Sequence, residues 1–506
     1  MDNQTLDALL LGLENLMTWP VLTALLIGAI GGLIIGAIPG IGPAIAIAIL
    51  LPATIFLDDL VALVLLLGVY GSSMYGGAIP AILINTPGTP VNALTTYDGY
   101  SLTQKGQAGR ALSLAYSASF LGGMFSISVA LIALFGFGPY LRDLGALFGS
   151  RDIFMAALLG AVLLIAAHRQ NMLIALMLFC FGALIAVVGR SQTRKYNGER
   201  IELFTYDLEM LSGGFNLIVV IVGIFAISQA LNLLTGKDDT PPDAKLTGGI
   251  FRGMTELRKH PIVAFCSACY GTVMGIIPGV GEFVAQFFSY STARALSKKP
   301  EQFGRGAPDG LIASETSNNA VPAAAMIPLL ALGVPGEALT AMMMVVFFDA
   351  GIKPGPDIFE NNADFLFSLF IALMIINVLV LVTLLFTTRW VAKMVYIPNR
   401  FLGVLILALA FVGVFSIRNN LEDCMIAAVF GFIGFILRRL DWPLVPIVLG
   451  MVLGSIMIER LTAGAGQVVT FVGLFSRWVS GTLAVVILGI IIFTIISVIM
   501  ERRRGS

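Results

Sequence analysis

Eleven residues, Gly32 to Gly42 reading GLIIGAIPGIG, return 239 positions later as Gly271 to Gly281, reading GTVMGIIPGVG. Six positions are identical without a gap: Gly32/Gly271, Gly36/Gly275, Ile38/Ile277, Pro39/Pro278, Gly40/Gly279 and Gly42/Gly281. Each copy sits in an apolar run too long for an ordinary soluble helix. Proline lacks the amide hydrogen that a helix interior needs, and glycine relaxes the backbone around it. In hydrocarbon, backbone groups freed in this way survive only where protein or a wet cavity surrounds them. The repeat therefore predicts two helices broken at mid-membrane, at corresponding places in two pseudo-symmetric halves. Such paired breaks point to a transporter's binding site.

The composition supports that setting. Hydrophobic residues make up 58% and charged residues 12%, about half the charged share of a soluble domain. Mean hydropathy is +0.93, and long apolar runs recur from end to end. These features predict an all-α polytopic membrane protein with roughly ten to twelve crossings of a lipid bilayer. A net charge of zero gives no reason to expect nucleic acid as a partner. Cys180, Cys266, Cys269 and Cys424 lie in apolar surroundings and read as small buried hydrophobes. A lone Cys266-x-x-Cys269 pair without nearby histidines is weak support for a metal. The N-terminus carries Asp2, Asp7 and Glu14 and no basic residue, so a cleavable signal is not expected.

In chain order, residues 1–19 read as an interfacial segment and 20–235 as the first transmembrane repeat. Residues 236–260 form a polar linker with Pro241-Pro242, 261–500 the second repeat and 501–506 a basic tail. The first broken span, 20–56, is followed by Ser72-Ser73 and by Asn85-Thr86-Pro87-Gly88-Thr89-Pro90. The second, 261–296, is followed by Ser314-Glu315 and Asn318-Asn319, then by Val334-Pro335-Gly336-Glu337. Ser72–Pro80 aligns with Ser314–Pro322 at an offset of 242, and Pro87-Gly88 with Pro335-Gly336 at 248, which predicts six extra residues between them. Basic residues at 298, 299, 389, 393 and 400 and at the C-terminus favour the cytoplasm, whereas the acidic N-terminus favours the outside.

These motifs carry a resemblance. Gly36-Ala-Ile-Pro39-Gly40-Ile-Gly42-Pro43, Pro87-Gly88-Thr89-Pro90, Tyr97-Asp98-Gly99-Tyr100, Lys105-Gly106-Gln107-Ala108-Gly109-Arg110 and Ser314-Glu315-x-x-Asn318-Asn319-Ala320 occur in that order. The set resembles the large membrane subunit (TctA family) of bacterial tripartite tricarboxylate transporters, from residue 20 to about 500. Ser101 stands where many members have proline, and Glu282 where a small residue is commoner. The resemblance implies a multi-pass permease of the bacterial inner membrane that takes a carboxylate from a periplasmic solute-binding protein (TctC-like). It implies a small membrane subunit (TctB-like) as a further partner, no cofactor, and drive from an ion gradient, sodium above all.

The residues support this chemistry by themselves. Backbone N–H groups at a half-helix N-terminus carry partial positive charge and bind anions. Substrate contacts are accordingly expected at Pro39, Gly40, Gly42, Ser72, Ser73, Thr86, Pro87, Gly88, Thr89, Pro278, Gly279 and Gly281. No arginine cluster lies within a span, so backbone dipoles and hydroxyls are expected to supply most of the attraction. An ion site is expected at Asn85, Ser314, Glu315, Asn318 and Asn319, whose oxygens suit sodium on unwound backbone. Gly32-xxx-Gly36 and Gly271-xxx-Gly275 read instead as close helix packing. Each intramembrane carboxylate costs about 2.5–3.5 kcal/mol to insert, which marks Glu282, Glu315, Glu337 and Asp349. His168 and His260 read as boundary residues. The chain holds no H-E-x-x-H, no G-x-S-x-G and no P-loop, so an intramembrane enzyme has no support. A channel or a stand-alone carrier of another small organic anion would use the same broken spans.

Overall fold

The computed structural model describes residues 3–147, 149–168, 171–189, 203–206, 208–236, 252–355, 358–463 and 477–504. All regular structure among them is helical, and the protein is an all-α polytopic membrane protein. Seven helices are long and apolar enough to cross a bilayer alone, and five shorter apolar helices accompany them. The first half runs α1 (Asn3–Leu16), α2 (Trp19–Gly36), α3 (Gly42–Thr54), α4 (Asp59–Ile84), α5 (Ala93–Gln104), α6 (Ala108–Leu147), α7 (Ser150–Ala167), α8 (Met172–Ile185) and α9 (Leu217–Thr235). After α10 (Arg252–Leu257) come α11 (Pro261–Ile276), α12 (Gly281–Leu296), α13 (Pro308–Leu332), α14 (Ala338–Asp349) and α15 (Ala363–Val391). The chain closes with α16 (Asn399–Arg418), α17 (Leu421–Arg439), α18 (Val445–Ala463) and α19 (Trp478–Arg504). Most of the linker predicted at 236–260 lies outside the described residues.

Helix α1 does not stand apart from the bundle. It packs along α15, where the Ser368 hydroxyl donates to the Gly12 carbonyl and the Asn15 amide to Asp364. The two long helices α4 and α13 form the centre, buried on nearly all sides. They run in opposite directions. Tyr70 on α4 reaches Glu337 beyond the end of α13, while Glu315 on α13 meets Asn92 and Thr95 beyond the end of α4. Each ends in a left-handed residue, Asn85 (φ 57°) and Gly333 (φ 68°), before a short loop folds back into the protein.

The predicted breaks are present. Helix α2 stops at Gly36 and α3 begins at Gly42, while α11 stops at Ile276 and α12 begins at Gly281. Two further expectations are corrected. Ser314–Asn319 is not unwound but lies within the continuous helix α13, where Ser314 and Ser317 turn their hydroxyls back onto backbone carbonyls. The helix satisfies its own backbone, so a polar sequence needs no loop there. The register also differs. Gly32 packs on Val69 and Gly36 on Ser73, as Gly271 packs on Ser317 and Gly275 on Val321. These partners are 248 residues apart, as Pro87 and Pro335 are, against 239 at the breaks, so nine extra residues (248 − 239) fall before α13 and none of the expected six falls within it.

Lipid tails give helices no hydrophobic reason to associate, so close contact between small residues holds such a bundle together. A Cβ on Gly271 would meet the Ser317 carbonyl and come within 2.7 Å of the Ala320 Cβ, whereas one on Gly31 would meet nothing. Gly271→Val is therefore expected to cost at least the usual 1–3 kcal/mol of overpacking, roughly, and Gly31→Val almost nothing. Thermal melts of the two purified variants check this; equal melts would contradict it.

His260 is more than a boundary residue. Its ring bonds Asp309 at the start of α13, and that carboxylate holds the imidazole above its ordinary range. The stabilisation is fully present below about pH 6.5 and fades as the pH rises through the raised value. Wild-type melting temperature should fall across that interval, and His260→Gln should lose this step.

Candidate functional site

Each break is pinned to the loop that follows in its own half. The Gly40 N–H donates to the Gly88 carbonyl at 3.2 Å, and the Gly279 N–H to the Gly336 carbonyl at 2.6 Å. Both donors need left-handed backbone, φ 80° at Gly40 and 82° at Gly279, which side chains other than glycine's resist. Their surroundings differ. A Cβ on Gly279 would press to 2.5 Å from the Leu164 backbone nitrogen, whereas one on Gly40 meets only the Gln229 side chain at 3.3 Å.

Both breaks open onto one cavity of about 800 Å³. Gly40 and Gly42 line it from one half, Gly279 and Gly281 from the other, with Thr89 and Glu337 from the two re-entrant loops. The N-termini of α3 and α12 open here, and neither carries a side-chain cap. Their first-turn N–H groups present partial positive charge to the cavity.

Asp441 also lines the cavity, and two further charged features face it. Arg438, in the last turn of α17, faces the cavity and donates to the Ser228 hydroxyl at 3.0 Å. No carboxylate among the described residues pairs with it. Ser228 follows a π-helical stretch, Val222–Ile227, a local widening that recurs at functional sites. On the opposite side the Tyr70 hydroxyl lies 3.1 Å from Glu282 Oε1 and in contact with Glu337 Oε1. Tyr70 is fully buried, and the carboxyls are 6% and 8% exposed. One phenolic proton cannot satisfy two buried ionised carboxylates at once. The trio is complete only with a further proton or a cation.

The other expected residues fall elsewhere. Ser72 and Ser73 do not face the cavity; they bond backbone carbonyls of α2 and α4 and pack these helices together. Asn85 and Thr86 are exposed at the loop tip with Pro87 beside them, and Gly88 serves as the clasp for Gly40. Pro39 and Pro278 set the breaks without lining the cavity. Glu315 sits behind it, bonded by Asn92, Thr95 and Ser119. Asn319 donates to the Glu315 backbone carbonyl, and Ser314 bonds within its helix. Neither polar atom of the Asn318 side chain has a partner among the described residues. Asp349 is exposed at the end of α14, while His168 lines the cavity rather than merely ending α7.

The sequence reading missed Arg438 and Tyr70. In the sequence Arg438 is one of two adjacent arginines at the end of an apolar run, and nothing distinguishes it from Arg439. A helix rotates about 100° per residue, which turns Arg438 inward while Arg439 reaches Thr235 at the surface.

Comparison with known proteins agrees with this architecture. The family described as "Tripartite tricarboxylate transporter TctA family" matches residues 22–449. The "Uncharacterized 52.8 kDa protein in TAR-I ttuC' 3'region" of Agrobacterium vitis is 34% identical over 452 residues, covering 89% of this chain and 88% of that protein. The "Uncharacterized protein in TAR-II ttuC' 3'region" of the same organism is 38% identical over 192 residues, covering 38% of this chain and 79% of that protein. No solved structure matches the chain. Every residue lining the cavity falls inside the family match, and the chain belongs to the tripartite tricarboxylate transporter TctA family, as its membrane component.

Proposed function

We propose that this chain is the permease subunit of a binding-protein-dependent secondary transporter that imports di- or tricarboxylates down a sodium gradient. The observation that carries the reading is the single cavity where both breaks meet Arg438 and the two carboxylates, Glu282 and Glu337, that share the buried Tyr70 hydroxyl. A multivalent carboxylate needs several donors once water is stripped away. Uncapped helix starts and a guanidinium that has no acid partner among the described residues are such donors. A cation at Glu282, Tyr70 and Glu337 would neutralise the carboxylates that otherwise repel the substrate. Binding of anion and cation would then be mutually favourable, which is the thermodynamic content of symport. The two halves act as inverted repeats around the cavity. A periplasmic solute-binding protein delivers the anion, and a small membrane subunit completes the assembly in a bacterial inner membrane.

A proton in place of sodium is the second reading, favoured by the hydroxyl shared between two carboxyls. Glu315 and the unpartnered Asn318 offer another place for the cation. Uptake into vesicles holding all three subunits, tested with a panel of carboxylates, separates these readings. Saturable uptake that follows an imposed sodium gradient is the expected result, and a proton gradient acting alone selects the second reading. Asn318→Ala shifts the sodium dependence only if the cation sits beside Glu315. Uptake indifferent to both gradients would contradict coupling.

A further inference from the structure

A second cleft, of about 700 Å³, shares no residue with the first. It lies where α11 begins, α12 ends and α13 begins, so it sits at the boundary between apolar core and water. Its walls include Ile262, Cys266, Tyr270, Leu296 and Phe303. Ile262 and Leu296 are 74% and 75% exposed, and Phe265, Phe287 and Phe288 continue the same apolar surface along the hairpin. A surface of this kind faces acyl chains.

The rim is basic. Lys259, Lys298 and Lys299 line it, and none forms an ion pair among the described residues. The acids at the same rim are engaged elsewhere. Glu256 pairs with Arg110, whose guanidinium holds that carboxyl below its usual range, and Asp309 bonds His260. Three ammonium groups without an ion pair among the described residues, above an apolar groove, match a molecule with an anionic head and hydrocarbon tails. A soluble anion would leave the groove unfilled, and a neutral lipid would leave the lysines unpaired.

We propose that this cleft binds an anionic phospholipid of the surrounding bilayer. Its phosphate sits among Lys259, Lys298 and Lys299, and its acyl chains lie along Ile262, Cys266 and Leu296. Because α11 and α12 flank the second break, an occupied cleft braces the hairpin that carries Gly279. The inference is independent of the transported substrate.

The test uses the full chain in nanodiscs of phosphatidylcholine, with or without phosphatidylglycerol. Native mass spectrometry reads the phosphatidylglycerol that stays bound. Each lysine near an anionic head is worth roughly a fivefold change in affinity, so Lys259→Ala, Lys298→Ala and Lys299→Ala combined should lose about a hundredfold. Lys353→Ala, at an exposed site elsewhere, should lose nothing. A second readout needs no variant. Alkylation of the half-buried Cys266 should be slower in wild-type protein when phosphatidylglycerol is present. The proposal is overturned if the triple variant retains the lipid as wild type does, or if Lys353→Ala loses as much. It also fails if glycerol phosphate competes as well as the lipid, or if Cys266 reacts at one rate in both nanodiscs.

Discussion

Replacing Arg438 by glutamine is expected to raise the carboxylate concentration for half-maximal uptake roughly ten- to hundredfold, the usual worth of about 1.5–3 kcal/mol for a hydrogen bond to a charged group. The reason is its position. Arg438 faces the cavity with a neutral hydroxyl as its partner, so its charge is available to an incoming anion. A buried guanidinium paired with a carboxylate of the protein would offer nothing further. Arg438→Lys should recover only part of the loss, since an ammonium cannot form the planar two-point contact. Arg439→Gln is the internal control: that side chain stacks over Phe435 and bonds Thr235 outside the cavity. The measurement is initial uptake against carboxylate concentration for the three variants. Equal curves for Arg438→Gln and wild type would remove Arg438 from the site.

Glu337→Gln has the second large expected effect, on coupling rather than affinity. The amide keeps the size of the carboxyl and removes its charge, so the Tyr70 trio no longer needs a cation to be complete. Transport should become indifferent to the ion gradient. With no membrane potential imposed, accumulation inside vesicles should fall to a ratio of about one, because a site without linkage to a second ligand only equilibrates its substrate. Exchange of labelled for unlabelled carboxylate should continue. Glu282→Gln should behave similarly, since either carboxylate alone can take the Tyr70 proton. If Glu337→Gln still concentrates substrate with wild-type gradient dependence, the cation is not held there.

The breaks were legible because proline and glycine act through their own backbone, so a local sequence sets a local geometry. The breaks fall at corresponding places in both halves, as the matched motifs implied, and the backbone at Gly40 and Gly279 is left-handed in each. The packing glycines were legible for a related reason: a missing Cβ matters wherever two backbones approach. The polar stretch Ser314–Asn319 was read as an unwound tip because polar residues in hydrocarbon resemble a loop. It remains helical since serine hydroxyls bond back to the preceding turn and tertiary partners serve the rest. Ser72 and Ser73, expected as substrate contacts, likewise turn their hydroxyls onto backbone carbonyls. The charges of the site were the least legible part. Arg438 and Arg439 are neighbours of one chemistry, and only the rotation of α17 tells them apart. Tyr70 carries no sequence signal, for its role exists only where Glu282 and Glu337 arrive from residues more than two hundred positions away.

One cavity, lined from both breaks, is proposed to hold the carboxylate. The most direct measurement places single cysteines at Ala44, beside the first break, and at Ala338, beside the second loop, in a chain whose native cysteines are replaced. Both positions line the cavity from opposite halves. A water-soluble thiol reagent is applied with and without a tricarboxylate. The carboxylate should slow modification at both cysteines, over the same concentration range, and leave a cysteine placed at the exposed Lys353 position, outside the cavity, unaffected. Protection at neither position, or at one alone, would contradict a shared cavity.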